Sequence, residues 1–563
     1  MRVFLNRRVP TTDGAELATD VYLPDGTGTF PVLLTRTPYH RAFATGGDPA
    51  GMAQVQYYLD RGYAFVVQDV RGKYDSTGTF RPLVDEAVDG QRTIDWIAEQ
   101  TWCNGRIGMI GLSYLGIVQV PAAAGGHEAL KCIVPQVAPQ SFFTDWIRYD
   151  GCFALANMVR WPFTHNVCAT KPTAGHFSWG ELCGLSSLAE IEERVGAVAP
   201  ELREWVAHDS YDDYWRAIDQ HEMYDAVGAA GMNIGGWFDH LTRGQFQAFR
   251  AISDRGATDR ARSSQRLLIG PWGHSTTGRR EYGEWDFGPA AAINWMDYRQ
   301  RFLDLWLRDI DDGITDEPPV RLFLMGENRW IGLEDWPPRE AEAQQWHLTS
   351  GGCATGIGGD GRLSREAPGD EPADAFRYDP ADPVPTHGGQ IYWGMVGTGQ
   401  AAAGPVEQRQ ILARDDVLYY RSERLSEPLQ VLGEVELDLW IATDAEDTDV
   451  IAKLCVVDPD GRVMSLIVGS LRCRYRGERW ADPQALTPGE PTQVHLHIGN
   501  LAYTFPAGAR IALMVTSSDF PRILPHPNTM EPTWSDAPAK VATTSVLHDV
   551  KHPSRLVLPV VGV

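Results

Sequence analysis

Apolar residues in the first 140 positions occur in short continuous runs, separated by a segment in which they recur every three to four residues. Continuous runs of this length are typical of strands buried on both faces of a parallel sheet, and the wider spacing is typical of a helix with one apolar face. Their alternation predicts a doubly wound α/β sheet. The predicted strands are PVLLTRTPY (31–39), YAFVVQDVRG (63–72) and GRIGMIG (105–111), and the predicted helix is DEAVDGQRTIDWIAEQ (85–100).

The pattern changes between residues 141 and 227, where helical periodicity dominates and no strong strand is apparent. Strands return with GMNIGGWFDH (231–240) and RLLIGPWGH (266–274), and a helix follows at 294–310. We therefore predict an α/β core in two parts, 1–140 and 228–315, interrupted by a helical cap over 141–227. The cap prediction rests on FFTDWIRYDGCFALANMVRW (142–161) and on LAEIEERVGAVAPELREWVAHDSYDDYWRAID (188–219).

Residues 316–563 are rich in alternating or β-branched runs that are separated by Gly, Pro and Asp turns. Strands without intervening helices predict a separate β-sandwich, in this case a jelly roll. Within it, we expect surface loops over 351–390 and a solvated acidic loop at DAEDTD (444–449). The predicted strands include PPVRLFLMG (318–326), GEVELDLWIAT (433–443), DVIAKLCVVD (449–458), PTQVHLHI (491–498) and RIALMVTSS (510–518).

Charge and composition narrow the functional classes. The 563 residues carry a formal net charge of −24, which argues against a nucleic-acid partner. We see no apolar run long enough for a membrane span and no secretory signal, so we expect a cytoplasmic protein without a membrane partner. No C-x-x-C pair, dinucleotide fingerprint or P-loop appears, so neither a metal nor another cofactor is predicted.

The segment GLSYLG (111–116) nearly matches G-x-S-x-G, the turn that exposes a nucleophilic serine above a parallel sheet, but its second glycine comes one residue late. A serine nucleophile also needs an imidazole and a carboxylate, which follow in the chain order Ser, Asp, His in α/β-hydrolases. Asp239 and His274 each follow a predicted strand in that order after Ser113. The alternatives are a structural serine in a tight turn and an aspartate that caps a helix.

These motifs resemble those of the CocE/NonD family of cocaine esterases and α-amino-acid ester hydrolases, which is related to X-prolyl dipeptidyl-peptidases. The resemblance implies an α/β-hydrolase with a helical cap and a C-terminal jelly roll, and it explains the late glycine. It also implies the triad Ser113, Asp239 and His274, and an oxyanion hole that contains the Tyr39 hydroxyl. The second oxyanion donor is the backbone N–H of Tyr114, because it follows the nucleophile. The similar segments are GLSYLG, RTPYHR (36–41), QDVRGKYDSTGTF (68–80), GGWFDH (235–240), IGPWGH (269–274), PPVRLFLMGENRW (318–330) and FPAGARIALMVTSSDFPR (505–522).

The substrate is less well determined. Relatives that act on α-amino-acid esters carry acidic residues shortly after the triad aspartate, whereas this chain has Leu241 and Thr242 there. We therefore expect an esterase for an uncharged, apolar acyl group, with no cofactor. The candidate lining residues of its acyl pocket are Trp146, Phe153, Trp161, Trp237 and Phe238, although each is equally well explained as packing between cap and core.

Other possibilities remain open for the activity, for metal binding and for the oligomeric state. The same triad would serve an amidase or an X-prolyl dipeptidyl-peptidase, and a carbohydrate-binding protein with an inert hydrolase domain is the alternative of another class. His495 and His497 lie on one face of a predicted strand, where a metal-binding pair is the less favoured interpretation. A homo-oligomer is as expected as a monomer.

Overall fold

The computed structural model describes residues 1–42, 49–167, 183–185, 187–196, 198–391, 403–477, 482–535 and 537–562. Its elements up to residue 333 are β1 (Arg2–Pro10), β2 (Glu16–Leu23), β3 (Phe30–Thr37), α1 (Pro49–Leu59), β4 (Ala64–Asp69), α2 (Glu86–Ala98), β5 (Cys103–Leu112), α3 (Tyr114–Ile117), α4 (Gln119–Ala123), β6 (Leu130–Gln136), β7 (Arg148–Tyr149), β8 (Cys152–Phe153), α5 (Leu155–Pro162), a π-helix (Phe163–Val167), α6 (Leu188–Val195), α7 (Pro200–Ala207), α8 (Asp213–Ile218), β9 (Ala230–Gly236), α9 (Thr242–Arg255), α10 (Asp259–Ser263), β10 (Gln265–Gly270), β11 (Glu281–Tyr282), β12 (Trp285–Asp286), α11 (Trp295–Arg308), β13 (Val320–Leu324) and β14 (Arg329–Leu333).

The remaining strands are β15 (Glu342–Thr349), β16 (Arg362–Ser364), β17 (Asp374–Tyr378), β18 (Leu418–Ser422), β19 (Leu429–Thr443), β20 (Asp449–Val457), β21 (Val463–Arg472), β22 (Thr492–Phe505), β23 (Arg510–Thr516), β24 (Ala542–Leu547) and β25 (Arg555–Val561). Short 3₁₀ turns occur at Gln220–Glu222, Tyr224–Ala226, Pro289–Ala291, Ile314–Asp316, Ile411–Ala413 and Cys473–Tyr475. No helix in the described part of the chain is long and apolar enough to span a membrane.

Ten strands of the described residues form one sheet in the order β1-β2-β4-β3-β5-β6-β9-β10-β13-β14. The seven from β4 to β13 run parallel, and antiparallel strands flank them on both sides. Every residue of β9 and of β10 is buried, as the continuous apolar runs predicted. The carboxyl ends of these strands meet along one edge of the sheet, which is where an α/β fold places its functional residues.

The strand at 318–326 belongs to this sheet, although the sequence analysis placed it in the C-terminal domain. Val320 pairs with Leu267 in parallel β10, and β14 then returns antiparallel to β13. The predicted boundary at residue 316 thus falls just before two strands that pair with the α/β sheet. A short apolar strand carries no information about which of two sheets it joins, so the sequence pattern could not predict this pairing.

The cap contains the predicted helices α6, α7 and α8, but the segment 142–161 is helical only at its end. The antiparallel pair of β7 and β8 interrupts it, because Asp150 and Gly151 both adopt positive φ angles, 46° and 89°. An Asp-Gly pair of this kind is a favoured hairpin turn. A Cβ at Gly151 would lie 2.4 Å from the ring of Tyr475, so the C-terminal domain packs directly on this turn.

Strands β15 to β25 form the sheet-rich C-terminal domain, a β-sandwich whose long strand β19 pairs with β22, β24 and β25. The expected surface loop at 351–390 contains β16 and β17. The acidic loop at 444–449 is not solvated throughout, because Asp447 and Asp449 are fully buried. Each forms an ion pair with a buried arginine, Arg474 and Arg472 respectively, which offsets the cost of burying the charges.

Candidate active site

Ser113 occupies a sharp turn between β5 and α3, with φ 58° and ψ −126°. A positive φ is strained for a residue with a side chain, and strained residues of this kind cluster at functional sites. The Ser113 N–H donates a hydrogen bond of 2.8 Å to the carbonyl of Gln136 on the neighbouring strand β6. This bond ties the turn to the sheet and leaves the hydroxyl at the sheet edge.

Close packing explains why both glycines of GLSYLG, Gly111 and Gly116, lack a side chain. A Cβ at Gly111 would lie 2.4 Å from the Cβ of Leu115, because the turn folds back on the strand that leads into it. A Cβ at Gly116 would lie 2.8 Å from the Cβ of Ala138. The late glycine thus lets the short helix α3 pack closely against the end of β6, three residues after the serine.

Asp239 and His274 follow β9 and β10, and the structure brings them to Ser113. The Nε2 atom of His274 lies 3.1 Å from Ser113 Oγ, and its Nδ1 atom lies 2.8 Å from Asp239 Oδ2. The other carboxylate oxygen of Asp239 accepts a hydrogen bond of 2.6 Å from the N–H of Leu241. Serine, imidazole and carboxylate therefore form one continuous hydrogen-bonded chain across the ends of β5, β9 and β10, with β6 between the first two.

Asp239 is fully buried. Burial acts to raise the pKa of its carboxyl group, but the adjacent His274 imidazole, with its hydrogen bond, outweighs that effect and holds the pKa below its usual range. The carboxylate is consequently ionised at neutral pH, and it fixes the orientation of the His274 ring.

Tyr39 follows β3 and lines the same cavity as Ser113. Its phenolic oxygen accepts a hydrogen bond of 3.0 Å from the indole N–H of Trp161 in the cap, and its ring lies 4.5 Å from that of His165. The contact with Trp161 uses an acceptor position of the Tyr39 oxygen, so it is compatible with the O–H group acting as a donor.

Tyr114 contributes its backbone and its side chain in different directions. Its amide is the first of α3, where N–H groups have no carbonyl partner within the helix. Its buried hydroxyl donates to Glu86 Oε1 at 2.8 Å, and Glu86 forms an ion pair with Arg36. Burial and the nearby Glu86 carboxylate raise the pKa of Tyr114 well above its usual value. This buried chain behind the serine was not predicted, because nothing in the local sequence pairs Tyr114 with Glu86.

The cavity at Ser113 has a volume of about 190 Å³. It contains Trp146 and Trp161 of the predicted acyl pocket. It also contains side chains that the sequence analysis did not predict. The lining residues are Tyr39, Leu112, Ser113, Trp146, Asn157, Trp161, His165, His240, Leu241, His274 and Ser275. None of these described lining residues is acidic.

The two additional imidazoles are uncharged at neutral pH. Burial, together with the nearby cations Lys73 and Arg160, lowers the pKa of His165 to about 4. Burial also lowers the pKa of His240 to about 3, against the opposing effect of Asp239. The position of His240 directly after Asp239 is a sequence signal that could have identified it as a cavity residue.

Phe153, Trp237 and Phe238 do not line this cavity, contrary to the prediction. Trp237 and Phe238 are fully buried in the core between the α/β sheet and the C-terminal domain. The Trp237 N–H donates a hydrogen bond of 2.8 Å to the carbonyl of Gly270 in β10. Trp237 therefore still continues the strand pairing of β9, before the turn that brings Asp239 to the site. Phe153 is buried in the cap, 5.9 Å from the ring of Trp534.

Metal-ligand types are also present at this site, since ligand atoms of Asp239, His240 and His274 lie within 4.8 Å of one another. Asp239 and His274 are already hydrogen-bonded to each other, and His274 also contacts Ser113.

The fold and the hydrogen-bonded arrangement of Ser113, His274 and Asp239 together define an α/β-hydrolase with a serine–histidine–aspartate site.

Comparison with known proteins assigns the family. Residues 13–276 match the model of the X-Pro dipeptidyl-peptidase (S15) family, and residues 312–557 match its C-terminal non-catalytic domain. Cocaine esterase from Rhodococcus sp. (strain MB1 Bresler) is 33% identical, with 99% of this chain and 98% of that protein covered. The chain belongs to this family of serine hydrolases, which includes the CocE/NonD hydrolases, and it is a serine ester hydrolase.

Two solved structures support the assignment along the whole chain. An α-amino-acid ester hydrolase is 28% identical with a TM-score of 0.81, over 99% of this chain and 96% of that one. An aminopeptidase from the marine sediment archaeon Thaumarchaeota archaeon is 26% identical with a TM-score of 0.81, over the same shares of the two chains. The resemblance found in the sequence is thereby confirmed.

Proposed function

We propose that the protein hydrolyses carboxylic esters through an acyl-enzyme on Ser113, and that the ester carries an uncharged, apolar acyl group. The observation that carries this proposal is the strained Ser113 hydrogen-bonded to His274, which is in turn hydrogen-bonded to the buried Asp239. This is the arrangement that activates a serine hydroxyl.

The reaction then has two steps. As Ser113 Oγ attacks the ester carbonyl carbon, His274 Nε2 takes the hydroxyl proton, and Asp239 stabilises the resulting imidazolium. The carbonyl oxygen becomes an oxyanion that accepts hydrogen bonds from the Tyr39 hydroxyl and the Tyr114 amide. His274 returns the proton to the leaving alcohol, and a water molecule repeats the sequence to release the acid from Ser113.

The walls of the cavity support the apolar acyl group. Trp146 and Trp161 supply aromatic surface, and Leu241 occupies the position where an acidic residue would hold a substrate ammonium. An unpaired ammonium in such a cavity would lose its hydration without a carboxylate partner, which is costly. The cavity therefore favours an uncharged acyl group over the α-amino group that an X-prolyl dipeptidyl-peptidase or an aminopeptidase requires.

The test is labelling with a fluorophosphonate probe, followed by turnover of p-nitrophenyl acetate, butyrate and benzoate. We expect stoichiometric labelling that Ser113→Ala abolishes, and turnover of at least one of the three esters. The matched control is Ser275→Ala, which changes a serine of the same cavity outside the hydrogen-bonded chain and keeps the label.

Two results would contradict the proposal in different ways. Absent labelling of the folded wild-type protein would favour the inert, carbohydrate-binding alternative. Labelling accompanied by cleavage of Xaa-Pro anilides, but of none of the three esters, would favour the dipeptidyl-peptidase alternative.

A further inference from the structure

A row of ionisable side chains crosses strands β19 and β22 of the β-sandwich. Glu436 is paired with His497, and Asp438 is paired with His495. These positions alternate with buried residues on both strands, so the four side chains share one face, on which His495 is exposed and His497 lies in a groove beside Arg243 of α9. None of the four lines the cavity at Ser113.

A β-bulge creates this alignment. The pairing of β19 with β22 shifts by one residue between Val435 and Glu436, with Ile498 as the extra residue. If the register before the shift continued, His497 would be paired with Leu437, whose side chain is buried. A shift of one residue moves a side chain to the other face of a strand, so the bulge places His497 beside Glu436.

Three ligand groups converge at Glu436. Its Oε1 atom lies 3.7 Å from His495 Nε2 and 3.9 Å from His497 Nδ1, both too far for a hydrogen bond. Among the described residues, these two imidazoles are the ion-pair partners of Glu436. Ligand atoms about 2.0–2.2 Å from a tetrahedral zinc ion lie roughly 3.4 Å apart, so small side-chain shifts would bring all three to one ion.

The orientation of His495 is fixed from the other side of its ring. Its Nδ1 atom lies 2.8 Å from Asp438 Oδ1, and Asp438 accepts a hydrogen bond of 2.9 Å from Arg555 Nε. A carboxylate on the far nitrogen of an imidazole is the usual support of a metal-binding histidine, because it sets the tautomer and directs the second nitrogen to the metal. Here it directs Nε2 of His495 toward Glu436. Because Asp438 and Glu436 together raise the pKa of His495 to about 10, a metal ion has to displace the proton on Nε2 when it binds.

We propose that Glu436, His495 and His497 bind a divalent transition-metal ion, with Zn²⁺ as the reference ion. Two imidazoles and one carboxylate suit Zn²⁺, whereas Mg²⁺ and Ca²⁺ prefer oxygen ligands alone. Glu434, whose Oε1 lies 3.1 Å from His497 Nδ1, stands beside the site as a fourth group. The bound ion links β19 to β22, and none of its ligands lines the cavity at Ser113, although His497 lines a neighbouring cavity together with Asp239 and His240. The proposal therefore does not rest on the proposed ester hydrolysis.

The test is titration of the chelator-treated, full-length protein with ZnCl₂ by isothermal calorimetry near neutral pH. We expect saturable binding of one ion at this site and a rise in Tm on saturation, since a ligand that binds only the folded state stabilises it. His495→Ala and His497→Ala each weaken binding more than tenfold, and Asp438→Asn weakens it about 10–100-fold. MgCl₂ gives no comparable signal.

His552→Ala is the matched control, because His552 is another partly exposed histidine of the same domain that is paired with a carboxylate, that of Asp549, without a second imidazole. It should leave Zn²⁺ binding unchanged. The proposal is overturned if the wild-type protein shows no saturable binding up to about 100 μM Zn²⁺, well above the affinity range of structural zinc sites. It is also overturned if the His495→Ala/His497→Ala double variant binds as well as the wild type while Zn²⁺ blocks fluorophosphonate labelling, which would place the ion at His274.

Discussion

The two sides of the catalytic cavity are built in different ways. On one side, Ser113, Asp239 and His274 each follow a parallel strand, and backbone hydrogen bonds of the sheet position them. Ser113 is tied to Gln136 at the end of β6, and the residues after β9 remain bonded to those after β10. The relative positions of these groups therefore depend on backbone geometry that few side-chain changes would disturb.

On the other side, the cap presents Trp146 and Trp161, and side-chain contacts hold it in place. The buried guanidinium of Arg148 donates to the carbonyl of Trp205 at 3.0 Å and to Thr533 Oγ1 of the C-terminal domain at 3.1 Å, and it pairs with Asp209 at 3.0 Å. The cap is thus positioned by residues far away in the chain. The comparison indicates that different contacts hold the proposed triad and the wall of the proposed acyl pocket.

The largest loss of activity is expected from a substitution on the sheet side of the cavity. Replacing Asp239 by Asn removes the negative charge that holds the His274 tautomer, and such a change typically lowers kcat about 10⁴-fold. Steady-state kinetics with p-nitrophenyl acetate measures the loss, and KM should change little. Asp145→Asn is the control, because Asp145 is also buried but its carboxylate accepts hydrogen bonds from the backbone N–H groups of Gln140 and Ser141, and no hydrogen bond of the described residues joins it to His274. Equal losses in the two variants would contradict the assigned role of Asp239.

Tyr39 lies where the two sides meet, and its substitution should have an intermediate effect. Tyr39→Phe keeps the ring against His165 but removes the proposed oxyanion donor, together with the acceptor of the Trp161 N–H. If the hydroxyl acts as that donor, kcat should fall about 10²–10³-fold with KM nearly unchanged. The comparison is Tyr74→Phe, which removes a hydroxyl from a partly exposed ring of the same region. If both variants retain full kcat, the Tyr39 hydroxyl is not an oxyanion donor.

The same contrast explains what could be predicted from the sequence. The strand ends that carry Ser113, Asp239 and His274 were predicted from local apolar runs and chain order, because a parallel sheet brings such ends together. The serine hydrolase class and the family were confirmed by the comparisons. The hydrogen bonds among the three residues agree with the predicted triad, while its catalytic role stays a proposal.

The cap could be predicted only in outline. Trp146 and Trp161 do line the cavity, but Phe153, which belongs to the same segment, faces the C-terminal domain instead. Local periodicity does not predict the direction of the Phe153 side chain, because the hairpin of β7 and β8 changes the direction of the chain. Phe153 packs against Trp534, which is distant in the sequence. Asn157 and His165 were missed for the same reason, since their place in the cavity depends on contacts between distant segments.

The smallest predicted effect tests the cap side alone. Trp146→Leu removes aromatic surface from the cavity, and Trp146 takes no part in the hydrogen bond between Trp161 and Tyr39, although its ring packs against that of Trp161 at 5.6 Å. The loss of aromatic contact and buried area, about 1.5–2 kcal/mol, should lower kcat/KM for p-nitrophenyl benzoate roughly 10–30-fold, and that for the small acetate ester far less. Trp440 is a partly exposed tryptophan on β19, and the control Trp440→Leu should leave the ratio of kcat/KM for the two esters unchanged. If Trp146→Leu lowers kcat/KM equally for both esters, Trp146 acts through the fold of the cap and not through contact with the acyl group. The two sides of the cavity are then not separable at this residue.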